Sequence, residues 1–192
     1  MGMRFPGADT PEEYWQNLLS GVESLTEIDE ETLRQSGVPE ARISDPAYVR
    51  LRPLIEGIEL FDERYFGITP RDADILNPQH RLFIEVCDVA LQRAAIDPAR
   101  SVGRVGVFAG ASPNRYIDHV YSDEALREAI GDIAVEIANQ PDYLATRTSH
   151  LLGLDGPSVS VATACSTSLV AVHLACQSLA ADECEERGDV RA

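Results

Sequence analysis

Apolar positions change their period several times along the chain, and each change predicts an element. Tyr14, Trp15, Leu18 and Leu19 recur at helical spacing behind Thr10-Pro11-Glu12-Glu13. Thr10 is placed to cap that helix, Pro11 suits its first position, Glu13 completes a capping box and Gly21 ends it. Trp15 is expected to anchor a core, as large aromatics do. Asp29 to Gln35 predicts a short acidic helix closed by Gly37 and Pro39. Residues 38 to 53 are broken by Pro39, Pro46 and Pro53 and predict irregular chain. Leu54 to Asp62 reads as extended chain entering a turn. Asn77-Pro78 opens the clearest long helix, with Leu82, Val86, Val89 and Leu91 on its apolar face and Asp97-Pro98 past its end. Val102 to Ala111 predicts a buried strand running into a small-residue loop. The acidic stretch 117 to 141 predicts a surface helix from Asp123 to Asn139, and another helix follows over Asp142 to Leu152.

The most informative pattern comes last. Ser158 to Val161 alternate small polar and β-branched residues, the period of a strand. From Ser168 onward Leu169, Val170, Ala171, Val172, Leu174 and Ala175 are apolar at helical spacing. Between them Thr163-Ala164-Cys165-Ser166-Thr167-Ser168 contains only small side chains, as a sharp turn from strand to helix requires. Cys165 falls at the helix N-terminus. Backbone N–H groups there have no intrahelical partner and favour negative charge. A thiolate at that position is stabilised, and the thiolate is the nucleophile. The same N–H groups can face a developing oxyanion. The layout is a cysteine counterpart of the hydrolase elbow, without its G-x-S-x-G signature. A small cysteine packed into a strand–helix junction would give the same spacing.

Composition narrows the field. The 192 residues carry 44% hydrophobic residues, enough for one domain with a core. Residues 156 to 181 lack charge, but recurring Ser, Thr, His and Gln favour a buried strand and helix over a membrane span. No apolar leader follows Met1, and the four cysteines have neither metal-ligand nor disulfide-framework spacing. Reduced thiols in a cytoplasmic protein are expected. The net charge is -16 and every basic residue except the histidines is Arg, with no Lys. That balance argues against nucleic acid and against an anionic membrane surface as partners.

Other candidate chemistry is weaker. His80 lies in the first turn of its helix, where the field opposes an imidazolium, so a structural role is expected. His173 follows Cys165 by eight residues, a rise of about 12 Å along a helix. It is too far to be the cysteine's base, and a packing role is expected. Gly106 and Gly110 lack a G-x-G-x-x-G setting and predict close backbone packing instead of a dinucleotide site.

Several words in fixed order carry a resemblance. They are Met1-Gly2-Met3-Arg4-Phe5-Pro6-Gly7-Ala8, Phe61-Asp62 with Tyr65-Phe66-Gly67-Ile68-Thr69-Pro70-Arg71, Asn77-Pro78-Gln79-His80-Arg81-Leu82, Leu154-Asp155-Gly156-Pro157-Ser158, and Thr163 to Leu179 around the cysteine. Together they resemble the β-ketoacyl synthase domains of modular polyketide synthases, over residues 1 to about 184. Tyr65 stands where the family often has Phe, and Asn77 where it usually has Asp.

The resemblance implies an α/β, thiolase-like fold of two related halves, with residues 1–192 forming most of the first half of one ketosynthase domain. An apolar strand precedes the opening word in the family, and a small-residue strand follows the loop that begins at Asp182. Here the residues after Glu185 are charged. The implied chemistry is acyl transfer from a phosphopantetheine thioester to Cys165, then decarboxylative Claisen condensation with a malonyl-type extender. No metal or directly bound cofactor is implied. Partners would be an acyl carrier protein, a second copy in a homodimer through the strand near Ser158 to Val161, and neighbouring polyketide synthase domains. Carrier proteins are usually acidic, so docking would need a local Arg patch on so acidic a chain. In the family two histidines and a lysine of the second half support condensation. None of the four histidines here matches them, so this chain alone is expected to lack the condensation residues. The alternative is a non-catalytic dimerising or carrier-binding fragment.

Overall fold

The computed structural model describes residues 1–100 and 103–184. Val102, where the strand pattern begins, and the charged residues 186–192 lie outside the described residues. The chain divides into two compact units, one of Gly2–Ile58 and one built from Glu59 onward together with Met1.

In the smaller unit, helix α1 (Pro11–Ser20) starts as its sequence dictates. The Thr10 hydroxyl accepts from the Glu13 N–H, the Glu13 carboxylate accepts from the Thr10 N–H, and Gly21 closes the helix with φ +64°. Its apolar stripe does not form a core: Trp15 is 57% exposed, and Leu18 and Leu19 are exposed beside it. The predicted acidic helix is α2 (Glu30–Gln35), capped by Asp29. The stretch expected to be irregular holds helix α3 (Glu40–Ile43) and strand β2 (Leu51–Arg52), which pairs antiparallel with β1 (Thr26–Glu27). Leu33 and Ile43 are the apolar side chains these pieces bury.

The larger unit carries the elements of the site. Thr69 caps α4 (Pro70–Ile75), and Asn77 caps the long helix α5 (Pro78–Arg93) by accepting from the Gln79 N–H. The buried face of α5 is set by His80 and Ile84; Val89, expected inside, is exposed. Tyr65 uses the hydroxyl that a Phe would lack, donating to Asp88 of α5 at 3.2 Å. After β3 (Val107–Ala109) the acidic stretch forms three helices in place of one: α6 (Tyr116–Ser122), α7 (Glu124–Ile130) and α8 (Asp132–Asn139). The breaks fall at Asp123, which caps α7, and at Gly131, whose φ of +91° ends it. Nor do these helices lie wholly at the surface. Val120, Val135 and Ala138 join Ile75, Leu76 and Ile84 in one buried cluster.

A second cluster joins Val107 and Ala109 to Leu144 and Ala145 of helix α9 (Leu144–Leu152). Strand β4 (Ser158–Ser160) pairs parallel with β3 in the register Val107↔Ser158, Phe108↔Val159 and Ala109↔Ser160. The alternation along β4 then explains itself. Ser158 and Ser160 face α9 and the turn before it: their hydroxyls meet Ser149 Oγ of the helix and the Asp142 carbonyl of the turn, while Val159 points away. Glycines set the closeness of this layer. A Cβ on Gly106 would lie 2.6 Å from Cys184 Sγ, and one on Gly156 would meet the Val105 backbone. The last helix, α10 (Thr167–Ala180), is rich in apolar residues, yet the described residues cover one side of it: Ala171 is buried, Leu169 is 75% exposed and Val172 60%.

Candidate active site

The strand-to-helix turn holds the predicted cysteine. Val161 leaves β4 buried, its N–H donating to the Ala109 carbonyl at 2.7 Å. Three residues on, Ala164 adopts φ +52°, a left-handed conformation that disfavours any side chain with a Cβ. One 3₁₀ turn over Ala164–Ser166 follows, and α10 begins at Thr167. Cys165 sits within that turn, one residue before the cap of α10, and is exposed. The Ser166 N–H is taken by the Thr163 carbonyl and the Thr167 N–H by the Ala164 carbonyl. Among the described residues the Cys165 N–H has no acceptor.

Cys165 borders a cavity of about 840 Å³. One wall is α5, with Phe83, Cys87 and Leu91; a second is β3 with its flanking loops; a third is α10, with Ala171 and Val172. The lining is mostly apolar, and no charged side chain contributes to it among the described residues. Two cysteines line this space and they differ in character. Burial pushes the Cys87 thiol up to about 12, so it stays protonated and inert near neutrality. Cys165 is exposed, whereas Cys87 is only partly accessible. Cys176 is exposed on α10, and Cys184 is buried with its sulfur 3.3 Å from Ser178 Oγ.

The histidines stand apart from this cavity. His80 is fully buried at the start of α5, and both ring nitrogens lack hydrogen-bond partners. Burial, then the nearby Arg147 guanidinium, push its pKa down to about 4, so it is neutral. His150 and His173 are exposed. For His173 this corrects the expectation of a packing role; it lies further along α10 than the cysteine, on a face that nothing described covers. The sequence did not single out Thr167, whose hydroxyl accepts the Thr163 N–H at 3.0 Å. Gly110, expected to allow close backbone packing, does so at this junction: a Cβ there would clash with Thr167 Cγ2 and the Val161 carbonyl. Only the small-residue run around Thr167 signalled a tight turn.

A parallel strand turns through a strained corner into a helix, with an exposed cysteine at the corner and a mostly apolar cavity beside it, a geometry in which a thiol can meet an incoming electrophile. The family described as Beta-ketoacyl synthase, N-terminal domain matches residues 1–186, and the chain belongs to it. Among its relatives is a phenolphthiocerol/phthiocerol polyketide synthase polypeptide of Mycobacterium tuberculosis, 45% identical over 192 residues, which cover 96% of this chain and 13% of that protein. Mycoketide-CoA synthase of the same species is 35% identical over 190 residues, 96% of this chain and 4% of that one. The chain therefore spans a small fraction of the length of these relatives. Among solved structures, ketosynthase twelve from the bacillaene polyketide synthase of Bacillus amyloliquefaciens matches with a TM-score of 0.81 and 35% identity, over 95% of this chain and 32% of that one. An oxazolomycin ketosynthase domain from Streptomyces albus matches with a TM-score of 0.77 and 30% identity, over 95% and 31%. The fold is the thiolase-like fold of polyketide synthase ketosynthases, represented over about a third of such a domain.

Proposed function

We propose that Cys165 is the acyl-accepting nucleophile of a polyketide-type ketosynthase. The Cys165 thiolate attacks the carbonyl carbon of an acyl-phosphopantetheine thioester. The tetrahedral oxyanion collapses, the carbon–sulfur bond to phosphopantetheine breaks, and the phosphopantetheine thiolate leaves and takes a proton from water. The acyl group stays on Cys165 as a thioester. In the second half-reaction a malonyl-type extender on an acyl carrier protein loses CO2, its carbanion attacks the acyl-Cys165 carbonyl, and the Cys165 thiolate is released with a β-ketoacyl thioester as product.

The observation that carries this reading is the placement of an exposed cysteine on a strained elbow beside an apolar cavity. The unclaimed Cys165 N–H supports it, because a donor at the nucleophile can hold the oxyanion. Apolar walls suit a hydrocarbon acyl chain more than a charged one. The condensation half-reaction needs groups that stabilise enolate charge. No histidine or other cation lines the cavity among the described residues, so we assign those groups to other parts of a larger ketosynthase. The carrier protein and neighbouring polyketide synthase domains are proposed as partners on the same basis. We propose a homodimer contact at the outer edge of β4; its pairing with β3 on one side and the exposure of Val159 support that reading.

The test is a thiol-release burst. The purified chain is mixed with a short acyl-pantetheine thioester, and free pantetheine is measured with time. About one equivalent per chain, absent in Cys165→Ala, is the expected result. No burst from a folded wild-type chain would refute acyl transfer by this chain and favour a non-catalytic binding module.

A further inference from the structure

The backbone of Thr163 is tied from beyond the cysteine at both of its polar groups. Its carbonyl accepts from the Ser166 N–H at 3.2 Å and from Ser166 Oγ at 2.8 Å. Its N–H donates to Thr167 Oγ1 at 3.0 Å. Between these ties lie Ala164, at φ +52°, and Cys165. A non-glycine residue in that region persists only where its surroundings hold it. The carbonyl of Thr163 is held twice; its N–H is held by the Thr167 hydroxyl alone.

The rotamer of Thr167 is fixed in turn. A helical Thr divides between two χ1 states. Here the methyl occupies the space a Cβ on Gly110 would fill, which leaves the hydroxyl directed at Thr163. Gly110 also lets the Val161 carbonyl, at the start of the elbow, approach β3. One glycine thus seats both ends of the turn.

We propose that Thr167 is the positioning residue for Cys165: its hydroxyl holds the left-handed Ala164 turn in the shape that presents the thiol to an acyl thioester, and Gly110 makes room for it. This rests on the acyl-transfer reading given above. The test compares wild type with Thr167→Val, which keeps the shape and loses the acceptor, and Thr167→Ser, which keeps the acceptor. Two rates are read by mass mapping of the Cys165 peptide. One is acyl transfer, which needs an aligned approach; the other is alkylation by iodoacetamide across pH, which reports the thiolate population with little demand on alignment.

Thr167→Val is expected to slow acyl transfer about tenfold, the worth of one hydrogen bond. Its alkylation pH profile stays at the wild-type midpoint, and Thr167→Ser restores most of the acyl-transfer rate. Equal slowing of both reactions, or Thr167→Val transferring acyl groups at the wild-type rate, overturns the proposal. If Thr167→Val loses its far-UV circular dichroism, Thr167→Ala, which removes the acceptor without adding bulk, is read in the same way with the same criteria. If the wild-type chain takes up no acyl group, the acyl-transfer reading has failed. The clamp is then judged from hydrogen exchange at the Thr163 amide, which Thr167→Val accelerates about tenfold if the hydroxyl holds the turn and leaves unchanged if it does not.

Discussion

His80→Leu should make the larger unit more resistant to mild acid. The imidazole is fully buried beneath the first turn of α5, with neither nitrogen hydrogen-bonded. Burial and the Arg147 guanidinium, partly offset by Asp142, bring its pKa from an ordinary 6.5 down to about 4. The unfolded chain therefore binds a proton that the folded chain refuses between those values. The sign follows: this contribution to stability is complete above pH 6.5, falls as pH drops from 6.5 toward 4, and changes no further below. At pH 5 the difference in proton binding amounts to about 2 kcal/mol. Leu is close to His in volume, does not titrate, and leaves no polar atom without a partner at that site. Urea unfolding followed by far-UV circular dichroism at pH 7 and pH 5 gives the loss on acidification for each protein. Wild type should lose about 2 kcal/mol more than His80→Leu. The comparison between proteins removes the contribution of the carboxylates that both share. Equal losses would refute the reasoning and mean that His80 keeps an ordinary pKa, through contact with water or with Asp142.

Three further outcomes test other parts of the structure. Thr10→Ala removes the capping box of α1 and should cost about 1 kcal/mol, seen as earlier thermal unfolding by Trp15 fluorescence. Ile84→Ala empties a fully buried position in the main cluster and should cost about 2–5 kcal/mol in urea unfolding. Ala164→Gly should stabilise the chain or leave it unchanged, because it relieves about 1 kcal/mol at φ +52°; an Ala→Gly change in an ordinary helix interior costs about as much. A clear loss of stability would show that Ala164 is not in the left-handed region.

Local signals were legible to the extent that they act locally. The caps at Thr10 and Asn77 stand where the sequence put them, since a cap is a bond between neighbours. The elbow at Cys165 was readable because a run of small residues between a β-branched pattern and an apolar helix has few other uses. Faces were less legible. The period of α5 allowed several stripes, and the buried one runs through His80 and Ile84, on a helix that packs against α9. The three helices α6–α8 looked like a polar surface stretch because their core residues, Val120, Val135 and Ala138, are few and far apart in sequence. Trp15 carried every mark of a core anchor, but nothing in its own unit covers it. Asn139 was invisible for another reason. Its amide donates to the Ile75 and Val135 carbonyls, and the first of those partners is distant in sequence. The contact between Gly110 and Thr167 was hidden in the same way, because they meet only when β3 and α10 are brought together.

Intact mass of the chain after incubation with a short acyl-pantetheine thioester, followed by peptide mapping, tests the central claim most directly. One acyl group on the Cys165 peptide is expected, with none on the Cys87, Cys176 or Cys184 peptides and none anywhere in Cys165→Ala. An unmodified folded chain, or an adduct that persists in Cys165→Ala on Cys176, which is also exposed, would contradict the assignment of Cys165 as the acyl acceptor.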